Sequence, residues 1–236
     1  ALAAAATGCL NQVMEVTEDS RMRRTRGRPL PQGRLRPVPA AAFGAALAVF
    51  GGLVLLKRVN PLSFALTVFT LASYLLVYTP LKKRSSLALW IGAVPGAMPP
   101  LIGWAAAAGS LPPAAWVLFA IQFLWQIPHF LALSWLHRED YARAGFRVAS
   151  LDDPSGASLA RQMGAASILL AAASLTPYAL GSGGAGCAAG AAALGLVSTA
   201  VGLKPVWVFS ERTVREVFLA SLVYLPCVYF MLLASV

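Results

Sequence analysis

The sequence predicts an all-α protein, a polytopic bundle of transmembrane helices, and three observations lead to that prediction. Hydrophobic residues make up 58% of the chain and charged residues 12%, whereas about a quarter of the residues in an average soluble domain are charged. Seven apolar runs approach the length of about 20 residues that a helix needs to cross a bilayer. The charged residues fall almost entirely in alternate loops between these runs.

The apolar runs occupy most of the chain. They are residues 39–56, 61–79, 88–108, 114–136, 159–180, 185–203 and 214–234. A shorter apolar run, residues 1–10, precedes them, and we interpret it as the end of an eighth helix whose beginning is missing from this sequence. Because no linker or change of composition marks a boundary, we expect a single transmembrane domain over residues 1–236.

The charged residues are concentrated on one side of the predicted bundle. If successive runs alternate in direction, 17 of the 19 Lys and Arg residues share one face, and only Lys57 and Arg58 lie on the other. All nine acidic residues also lie on the charged face. The excess of basic residues places this face in the cytoplasm or in the matrix of a mitochondrion. The net charge of +10 is therefore explained by membrane orientation, and we expect no nucleic-acid partner.

The stretch NQVMEVTEDSRMRRTRGRPLPQGR, residues 11–34, is a dense cluster of charge. Asn11, Glu15 and Asp19 recur at every fourth position, so they line one face if the helix continues inward. An amide and two carboxylates are oxygen ligands of the kind that Mg²⁺ shares with substrate phosphates. Arginines that can donate to diphosphate oxygens follow directly: Arg21, Arg23, Arg24, Arg26 and Arg28. Alternatively, these charges anchor a helix and bind anionic lipid head groups.

A second polar group lies in WQIPHFLALSWLHREDYARAG, residues 125–145. His129 is at membrane depth, where an ionisable side chain is costly and commonly faces a cavity, so it is a candidate site residue. The alternative is a neutral histidine that is hydrogen-bonded within the bundle. Asp140 either adds a carboxylate to a metal site or pairs with Arg138 or Arg143.

Two other segments have features that are typical of a binding site. GAVPGAMPPLIGW, residues 92–104, combines three prolines with three glycines. The prolines leave backbone carbonyls without partners and the glycines allow close helix approach, which predicts a kinked helix beside a ligand chamber. YTPLKKR, residues 78–84, places three basic residues at a helix end, where a positive-inside anchor is the alternative to a binding role.

Together these segments resemble the UbiA-type intramembrane prenyltransferases. The resemblance rests on Asn11-x-x-x-Glu15-x-x-x-Asp19 and on RTRGRPL, YTPLKKR, GAVPGAMPPLIGW and WQIPHFLALSWLHREDYARAG, which occur in the family's order over nearly the whole chain. Within that superfamily they resemble the heme branch, the protoheme IX farnesyltransferases or heme O synthases. The family has nine transmembrane helices, so the resemblance implies that this chain lacks helix 1 and most of helix 2.

The resemblance implies a reaction and its participants. A farnesyl group passes from farnesyl diphosphate to a vinyl group of heme B, water adds, and diphosphate leaves, giving heme O for terminal oxidase assembly. The implied cofactor is Mg²⁺, and heme B is a substrate. The implied partners are membrane lipid and a downstream heme A synthase, in the bacterial cytoplasmic membrane or the mitochondrial inner membrane. The alternatives are a prenyltransferase for an aromatic or quinone precursor and a non-catalytic membrane protein that handles heme.

The resemblance also implies roles for individual residues. The residues implied to bind the metal and diphosphate, directly or through water, are Asn11, Glu15, Asp19 and Asp140. The basic residues implied to hold the diphosphate are Arg24, Arg28, Lys82 and Lys83. Tyr78, Trp125 and Phe130 either shield an allylic cation or simply pack. His129 matches the heme-specific PHF element and is expected to contact heme, with His137 as a weaker alternative.

Two features depart from the family's pattern. In many members of the superfamily the second motif is a DxxxD pair, whereas here His137 and Tyr141 stand at the equivalent spacing and Asp140 lies between them. This departure leaves the second set of metal ligands open. The other departure is Glu18, which precedes Asp19 where an apolar or small residue is expected, and which can simply face water.

Overall fold

The computed structural model describes residues 1–181 and 184–234, and every regular element among them is a helix. The elements are α1 (Leu2–Met14), α2 (Val16–Arg21), α3 (Pro37–Arg58), α4 (Pro61–Ala72), a π-helical turn (Ser73–Tyr78), α5 (Thr79–Leu81), α6 (Ala88–Ala108), α7 (Pro113–Leu136), α8 (Arg138–Ala144), α9 (Ala149–Asp152), α10 (Ala157–Ala179), α11 (Ala185–Trp207) and α12 (Glu211–Ala234).

Seven stretches of helix in the described part of the chain are long and apolar enough to cross a membrane, judged by length and composition. They are Pro37–Arg58, Pro61–Leu81, Ala88–Ala108, Pro113–Leu136, Ala157–Ala179, Ala185–Trp207 and Glu211–Ala234. These stretches differ from the seven predicted runs only at their ends. The prediction of an all-α integral membrane protein is therefore confirmed.

Proline, asparagine and glycine residues set several helix ends. Pro37 and Pro61 lie in the first turns of α3 and α4, where the missing N–H of proline costs nothing. The side chain of Asn60 caps α4 by accepting a hydrogen bond from the backbone N–H of Ser63 at 2.8 Å. Gly109, with a φ of 67°, ends α6 in the left-handed conformation that glycine adopts without strain.

The chain divides into two compact units. The first consists of Ala1–Leu111 and His137–Val148, and it contains α1 to α6 together with α8. The second consists of Pro112–Leu136 and the residues from Ala149 onward, and it contains α7 and α9 to α12. The single domain expected over residues 1–236 stays a prediction.

In the first unit, glycines let α1 and α3 approach closely. A Cβ atom added at Gly44 would lie 2.9 Å from Cγ of Leu10, and one added at Gly51 would lie 3.0 Å from Cβ of Leu2. Elsewhere in this unit α4 packs against α6, and the short helix α2 packs against α8. The small side chains on α3 therefore serve helix packing, as is common between membrane helices.

The proline-rich helix α6 is continuous from Ala88 to Ala108 although Pro95, Pro99 and Pro100 lie inside it. The predicted kink and the chamber beside it stay predictions. The predicted close approach is seen at Gly92, where an added Cβ would lie 2.5 Å from two atoms of the Tyr78 ring. At Gly103 no atom lies within 4 Å of such a Cβ.

In the second unit, α10 packs between α7 and α11, and α12 packs against both α7 and α11. The buried centre contains Ile121, Leu170, Tyr224 and Val228. The contact between α10 and α11 depends on a glycine, because a Cβ added at Gly202 would overlap the side chain of Ser167. This contact gives a direct test of the packing.

We expect Gly202→Ala to lower the apparent melting temperature in detergent, because the new methyl group forces α10 and α11 apart at a cost of about 1–3 kcal/mol. Gly186→Ala on the same helix is the control, since no atom lies within 4 Å of its added Cβ. Thermal unfolding followed by tryptophan fluorescence measures both variants. Equal melting temperatures for the two would contradict the packing described here.

Candidate functional site

Asn11, Glu15 and Asp19 follow one helical path, as the sequence predicts. α1 ends at Met14 and α2 begins at Val16, yet the N–H of Glu15 donates to the carbonyl of Asn11 at 3.0 Å, and the N–H of Asp19 donates to the carbonyl of Glu15 at 2.8 Å. The spacing of the three side chains therefore survives the change of helix. Both acidic residues are buried, with 5% of Glu15 and 1% of Asp19 exposed.

The side chain of Asn11 is hydrogen-bonded on both sides. Its Nδ2 donates to Oε2 of Glu15 at 2.9 Å, and its Oδ1 accepts from Oγ1 of Thr79 at 3.0 Å. The hydroxyl of Thr79, which is buried, also lies 3.0 Å from the carbonyl of Tyr74. Thr79 therefore orients the amide of Asn11, and that amide in turn orients the carboxylate of Glu15.

A π-helical turn brings Thr79 to this position. The backbone N–H of Thr79 bonds to the carbonyl of Tyr74, five residues earlier, and the turn extends from Ser73 to Tyr78. A π turn adds one residue to a helical turn, so it rotates every side chain that follows it relative to a regular α-helix. Lys82 and Lys83, which come directly after α5, are placed by this rotation.

Three buried carboxylates each hold a cation. Lys82 forms an ion pair with Oε1 of Glu15, Lys83 pairs with Oε1 of Glu18 at 2.6 Å, and Arg28 donates to Oδ2 of Asp19 at 2.8 Å. We call these six residues the charge cluster. Burying a carboxylate together with a basic side chain costs far less free energy than burying either charge alone. Two predicted metal ligands, Glu15 and Asp19, are thus paired with two of the predicted diphosphate-binding cations, Lys82 and Arg28.

Glu18 does not face water, contrary to the simplest expectation from the sequence. Only 8% of Glu18 is exposed, and its partner Lys83 comes from a segment far along the chain. Its second oxygen, Oε2, is buried and has no hydrogen-bond partner among the described residues. A buried oxygen of this kind is costly to leave without a partner, so it is suited to a cation or a water molecule.

Aromatic rings surround the ammonium group of Lys82. Its Nζ lies 4.8 Å from the centre of the Tyr78 ring and 5.4 Å from that of Phe146. Tyr78 in turn packs edge to face against Tyr74, with ring centres 5.0 Å apart. Tyr78 therefore makes a cation–π contact with Lys82. Its contact with an allylic cation stays a prediction.

Asp140 holds the loop that carries the arginines, residues 22–36, which we call the arginine loop. Oδ1 of Asp140 accepts hydrogen bonds from the backbone N–H of Arg23 at 3.1 Å and from the side chain of Arg143. Its Oδ2 lies 3.4 Å from the N–H of Arg24. The predicted pairing with Arg143 is confirmed.

These contacts change the pKa of Asp140. Burial alone would raise the pKa, but the hydrogen bonds from Arg23, Arg143 and Arg24, together with the positive charge of Arg143, outweigh burial and hold it below its usual range. Both oxygens accept hydrogen bonds from the protein, so ligation of a metal by Asp140 stays a prediction.

Arg24 and His137 lie near Asp140. The Nη2 of Arg24 is 3.5 Å from the hydroxyl of Tyr141, and its guanidinium lies 5.8 Å from the centre of that ring. Burial lowers the pKa of His137, the positive charge of Arg24 lowers it further, and Asp140 opposes both in part. His137 is therefore expected to be neutral at pH 7.

The segment from α8 to Val148 contacts both the arginine loop and the charge cluster. Met22, at the start of the loop, packs against Ala144 and Phe146. The backbone N–H of Arg147 donates to the carbonyl of Lys82 at 2.8 Å. Residues far apart in the sequence are thus joined by both apolar contact and hydrogen bonds.

His129 lies in the second unit, on α7, in a stack of rings. The rings of Trp125 and Phe218 both stack against the imidazole of His129, each with its ring centre 4.9 Å away, at interplanar angles of 22° and 30°. Phe130 packs edge to face against the same imidazole, with ring centres 5.1 Å apart. Nδ1 of His129 is 2.8 Å from the hydroxyl of Ser221, so the predicted hydrogen bond within the bundle is present. The indole N–H of Trp125 donates to the carbonyl of Ser221 at 2.6 Å, which supports the packing role expected as one alternative.

The oxygens of the charge cluster suit a divalent cation that is shared with a substrate. Among residues 1–181 and 184–234, no three His, Cys, Asp or Glu side chains form a group that holds a metal by itself. Mg²⁺, however, usually takes only one or two carboxylates and completes its shell with water and substrate phosphates. Glu15 and Asp19 are two such carboxylates, and Oε2 of Glu18, a further residue of the charge cluster, has no hydrogen-bond partner among the described residues.

Sequence reasoning missed four contributors to these two sites: Glu18 as a buried carboxylate, Thr79, Phe146 and Ser221. Glu18 carries the one signal that was available, since it lies three residues after Glu15 and next to Asp19 on a helix. The other three are ordinary residues whose importance depends on contacts with distant parts of the chain.

Comparison with known proteins identifies relatives over nearly the whole length. Residues 1–234 match the model of the UbiA prenyltransferase family. The chain is 48% identical over 235 residues to the protoheme IX farnesyltransferase of Solibacter usitatus, a match that covers 98% of this chain and 80% of that protein. It is 42% identical over 236 residues to the protein of the same name from Anaeromyxobacter dehalogenans, covering 100% of this chain and 79% of that protein.

A solved structure of digeranylgeranylglyceryl phosphate synthase has a similar fold. The TM-score is 0.81 at 18% sequence identity, and the match covers 99% of this chain and 81% of that one. At this identity the likeness concerns the fold alone.

We expect the anchoring role of Asp140 to appear in the pH dependence of stability. A carboxylate whose pKa is lowered by folding contributes stability above its unfolded pKa of about 3.9, and that contribution is lost as the pH falls through the lower folded value. Asp140→Asn should therefore melt below the wild type at pH 7, and the difference should shrink as the pH falls below about 4. Thermal scans of both proteins across this pH range measure it.

Glu139→Gln is the matched control, because the neighbouring side chain is 75% exposed and lies 4.0 Å from the same Arg143. Its melting temperature should follow the wild type at every pH. A constant gap between Asp140→Asn and the wild type down to pH 3 would contradict the anchoring role.

Proposed function

The chain belongs to the UbiA prenyltransferase family, and on that premise we propose that it transfers the farnesyl group of farnesyl diphosphate to a vinyl group of heme B. The C–O bond of farnesyl diphosphate breaks, and both electrons stay with the diphosphate. The vinyl group then supplies the electrons of the new C–C bond. Water adds to the remaining carbocation and releases a proton, which gives the hydroxyethylfarnesyl side chain of heme O.

Two lines of support lead to this function. Relatives named protoheme IX farnesyltransferase match over nearly all of this chain, at up to 48% identity. The observation that carries the chemistry is the charge cluster, in which three buried carboxylates pair with three basic side chains. The basic side chains can bind an anionic leaving group, and the carboxylates can hold the divalent cation that accompanies it. Breaking an allylic C–O bond places negative charge on the diphosphate, and preorganised cations stabilise that charge.

Lys82, Lys83 and Arg28 are the residues that bind the diphosphate oxygens in this proposal. Each ends in a group that donates several hydrogen bonds, and the guanidinium of Arg28 can hold two phosphate oxygens at once. Arg24 lies outside the cluster, against Tyr141, and in this proposal it also contacts the diphosphate. Arg24 thus adds a fourth cation from the arginine loop.

Asn11, Glu15 and Asp19 are the residues that would hold Mg²⁺, directly or through water. When bound with the diphosphate, Mg²⁺ withdraws charge from the leaving group. Thr79 keeps the Asn11 amide oriented, and that amide keeps Glu15 oriented. Asp140 acts in this proposal mainly by holding the arginine loop.

The ion pairs of the charge cluster imply an exchange of partners on binding. Without a ligand, Arg28 and Lys83 neutralise Asp19 and Glu18. In the proposal the carboxylates would hold a divalent cation that accompanies the diphosphate, and the basic groups would donate to the phosphate oxygens. No charge is left without a partner at either stage, which keeps the cost of desolvation low.

The aromatic residues and histidines have more limited roles in the proposal. Tyr78 lies beside Lys82, and in this proposal it shields an allylic cation. Trp125 and Phe130 pack around His129, and His129 contacts the heme. His137 stays a weaker candidate for a heme contact.

The proposed location is the bacterial cytoplasmic membrane, with the charged loops in the cytoplasm. The concentration of Lys and Arg on one side supports this orientation, and the two relatives compared above are bacterial. Both substrates are apolar enough to reach the site through membrane lipid. A heme A synthase is the proposed consumer of heme O.

We expect Asp19→Asn to lower the rate of heme farnesylation roughly 100-fold or more, because it removes the charge that balances Arg28 while keeping the shape of the side chain. The assay uses the protein in liposomes with heme B, farnesyl diphosphate and Mg²⁺, and it follows porphyrin products by mass. Chelation by EDTA should remove the product from the wild type as well.

Glu211→Gln is the matched control. Glu211 also pairs with an arginine, Arg215, at 2.9 Å, but its side chain is 60% exposed and lies in the second unit. This variant should retain the wild-type rate. An undiminished rate in Asp19→Asn would remove Asp19 from the reaction, and heme bound without any product in the wild type would refute the transferase.

A further inference from the structure

The hydrogen atoms around His129 can be assigned from two short contacts. Oγ of Ser221 lies 2.6 Å from the carbonyl oxygen of Phe218 and 2.8 Å from Nδ1 of His129. Two oxygens 2.6 Å apart require a hydrogen between them, and a carbonyl has none to give. The single hydroxyl hydrogen of Ser221 is therefore donated to Phe218.

This assignment fixes the tautomer of His129. With its hydrogen donated to Phe218, Ser221 can only accept from Nδ1, so Nδ1 carries the ring hydrogen. A neutral imidazole has one such hydrogen. The other nitrogen, Nε2, then presents a lone pair, and it has no hydrogen-bond partner among the residues that the structure describes.

The ring is also fixed in orientation. Trp125 and Phe218 stack on it from two directions, and the indole of Trp125 is itself tied to the backbone of Ser221. The His129 residue as a whole is partly exposed. A neutral, oriented imidazole whose second nitrogen donates to an acceptor is the arrangement that proteins use to bind metals through histidine.

We propose that Nε2 of His129 binds the iron of the heme substrate and that Ser221 is the positioning residue that keeps this nitrogen unprotonated. The inference rests on the proposed function, since that function supplies the heme. Iron in heme takes imidazole nitrogen as an axial ligand. Holding the porphyrin by its iron leaves the vinyl groups at the ring edge free to react.

The tautomer is measured directly by NMR of protein labelled with ¹⁵N-histidine. The chain contains only two histidines, so His137→Gln assigns the remaining signals to His129. We expect a protonated Nδ1 and an unprotonated Nε2 in the wild type without heme, and a mixture of tautomers in Ser221→Ala. A protonated Nε2 in the wild type would overturn the proposal without any variant at Ser221.

Ligation is measured by titrating heme B into the protein in nanodiscs and recording absorption and EPR spectra. We expect a histidine-ligated spectrum in the wild type and its loss in His129→Gly, with recovery when free imidazole is added. Ser221→Ala should weaken heme binding about 10–100-fold, the usual effect of removing a partner of a metal-ligating histidine, and Ser221→Thr should restore it.

Iron-free protoporphyrin IX is the control ligand. It should bind the wild type and Ser221→Ala equally, because it has no iron to ligate. Equal loss of affinity for both porphyrins in Ser221→Ala would show a merely structural role for Ser221 and overturn the proposal.

The proposed function and this inference fail in different ways. A wild type that forms heme O while its heme spectrum is unchanged in His129→Gly would refute iron ligation and leave the transferase standing. A histidine-ligated heme that never receives a farnesyl group would support the ligation and refute the transferase.

Discussion

The constraint on which the first unit depends is the cost of burying a carboxylate in a chain that is mostly apolar. Asp19 is 1% exposed and Glu15 is 5% exposed, so neither is stable there as a charge without a cation beside it. Arg28 and Lys82 supply those cations from two other segments. The π turn, the arginine loop and α8 can each be understood as parts of the framework that brings these segments together. In the proposed reaction, a cluster assembled in this way is preorganised for the diphosphate and its metal ion.

The spans were predictable because the bilayer imposes a length and an apolar composition that are visible in the sequence alone. The local details were less predictable. The π turn at Ser73–Tyr78 has no sequence signal of its own, since its residues also suit a regular helix. The prolines of α6 predict a kink, which stays a prediction, and the helix runs without interruption from Ala88 to Ala108. In a membrane bundle, neighbouring helices and local adjustments satisfy the carbonyls that proline leaves free.

The part of the candidate site that depends on residues close together in the sequence could be predicted. Asn11, Glu15 and Asp19 share a helical period, and the structure keeps that period through the change of helix at Glu15. The pairings that complete the site are not local: Thr79 meets Asn11 across 68 residues, and His129 meets Ser221 across 92. No spacing rule connects such residues. Glu18 shows the same limit, because its role depends on Lys83 and not on its neighbours in the helix.

In the proposed reaction, a buried charge cluster ionises farnesyl diphosphate and heme B captures the resulting farnesyl group. The most direct measurement is the mass of the porphyrin product formed by the wild-type protein from heme B and farnesyl diphosphate in ¹⁸O-labelled water. The expected product is heme that has gained one farnesyl group and one hydroxyl group, with the label in the hydroxyl oxygen. Unchanged heme beside consumed farnesyl diphosphate, or a farnesylated product without the label, would contradict it.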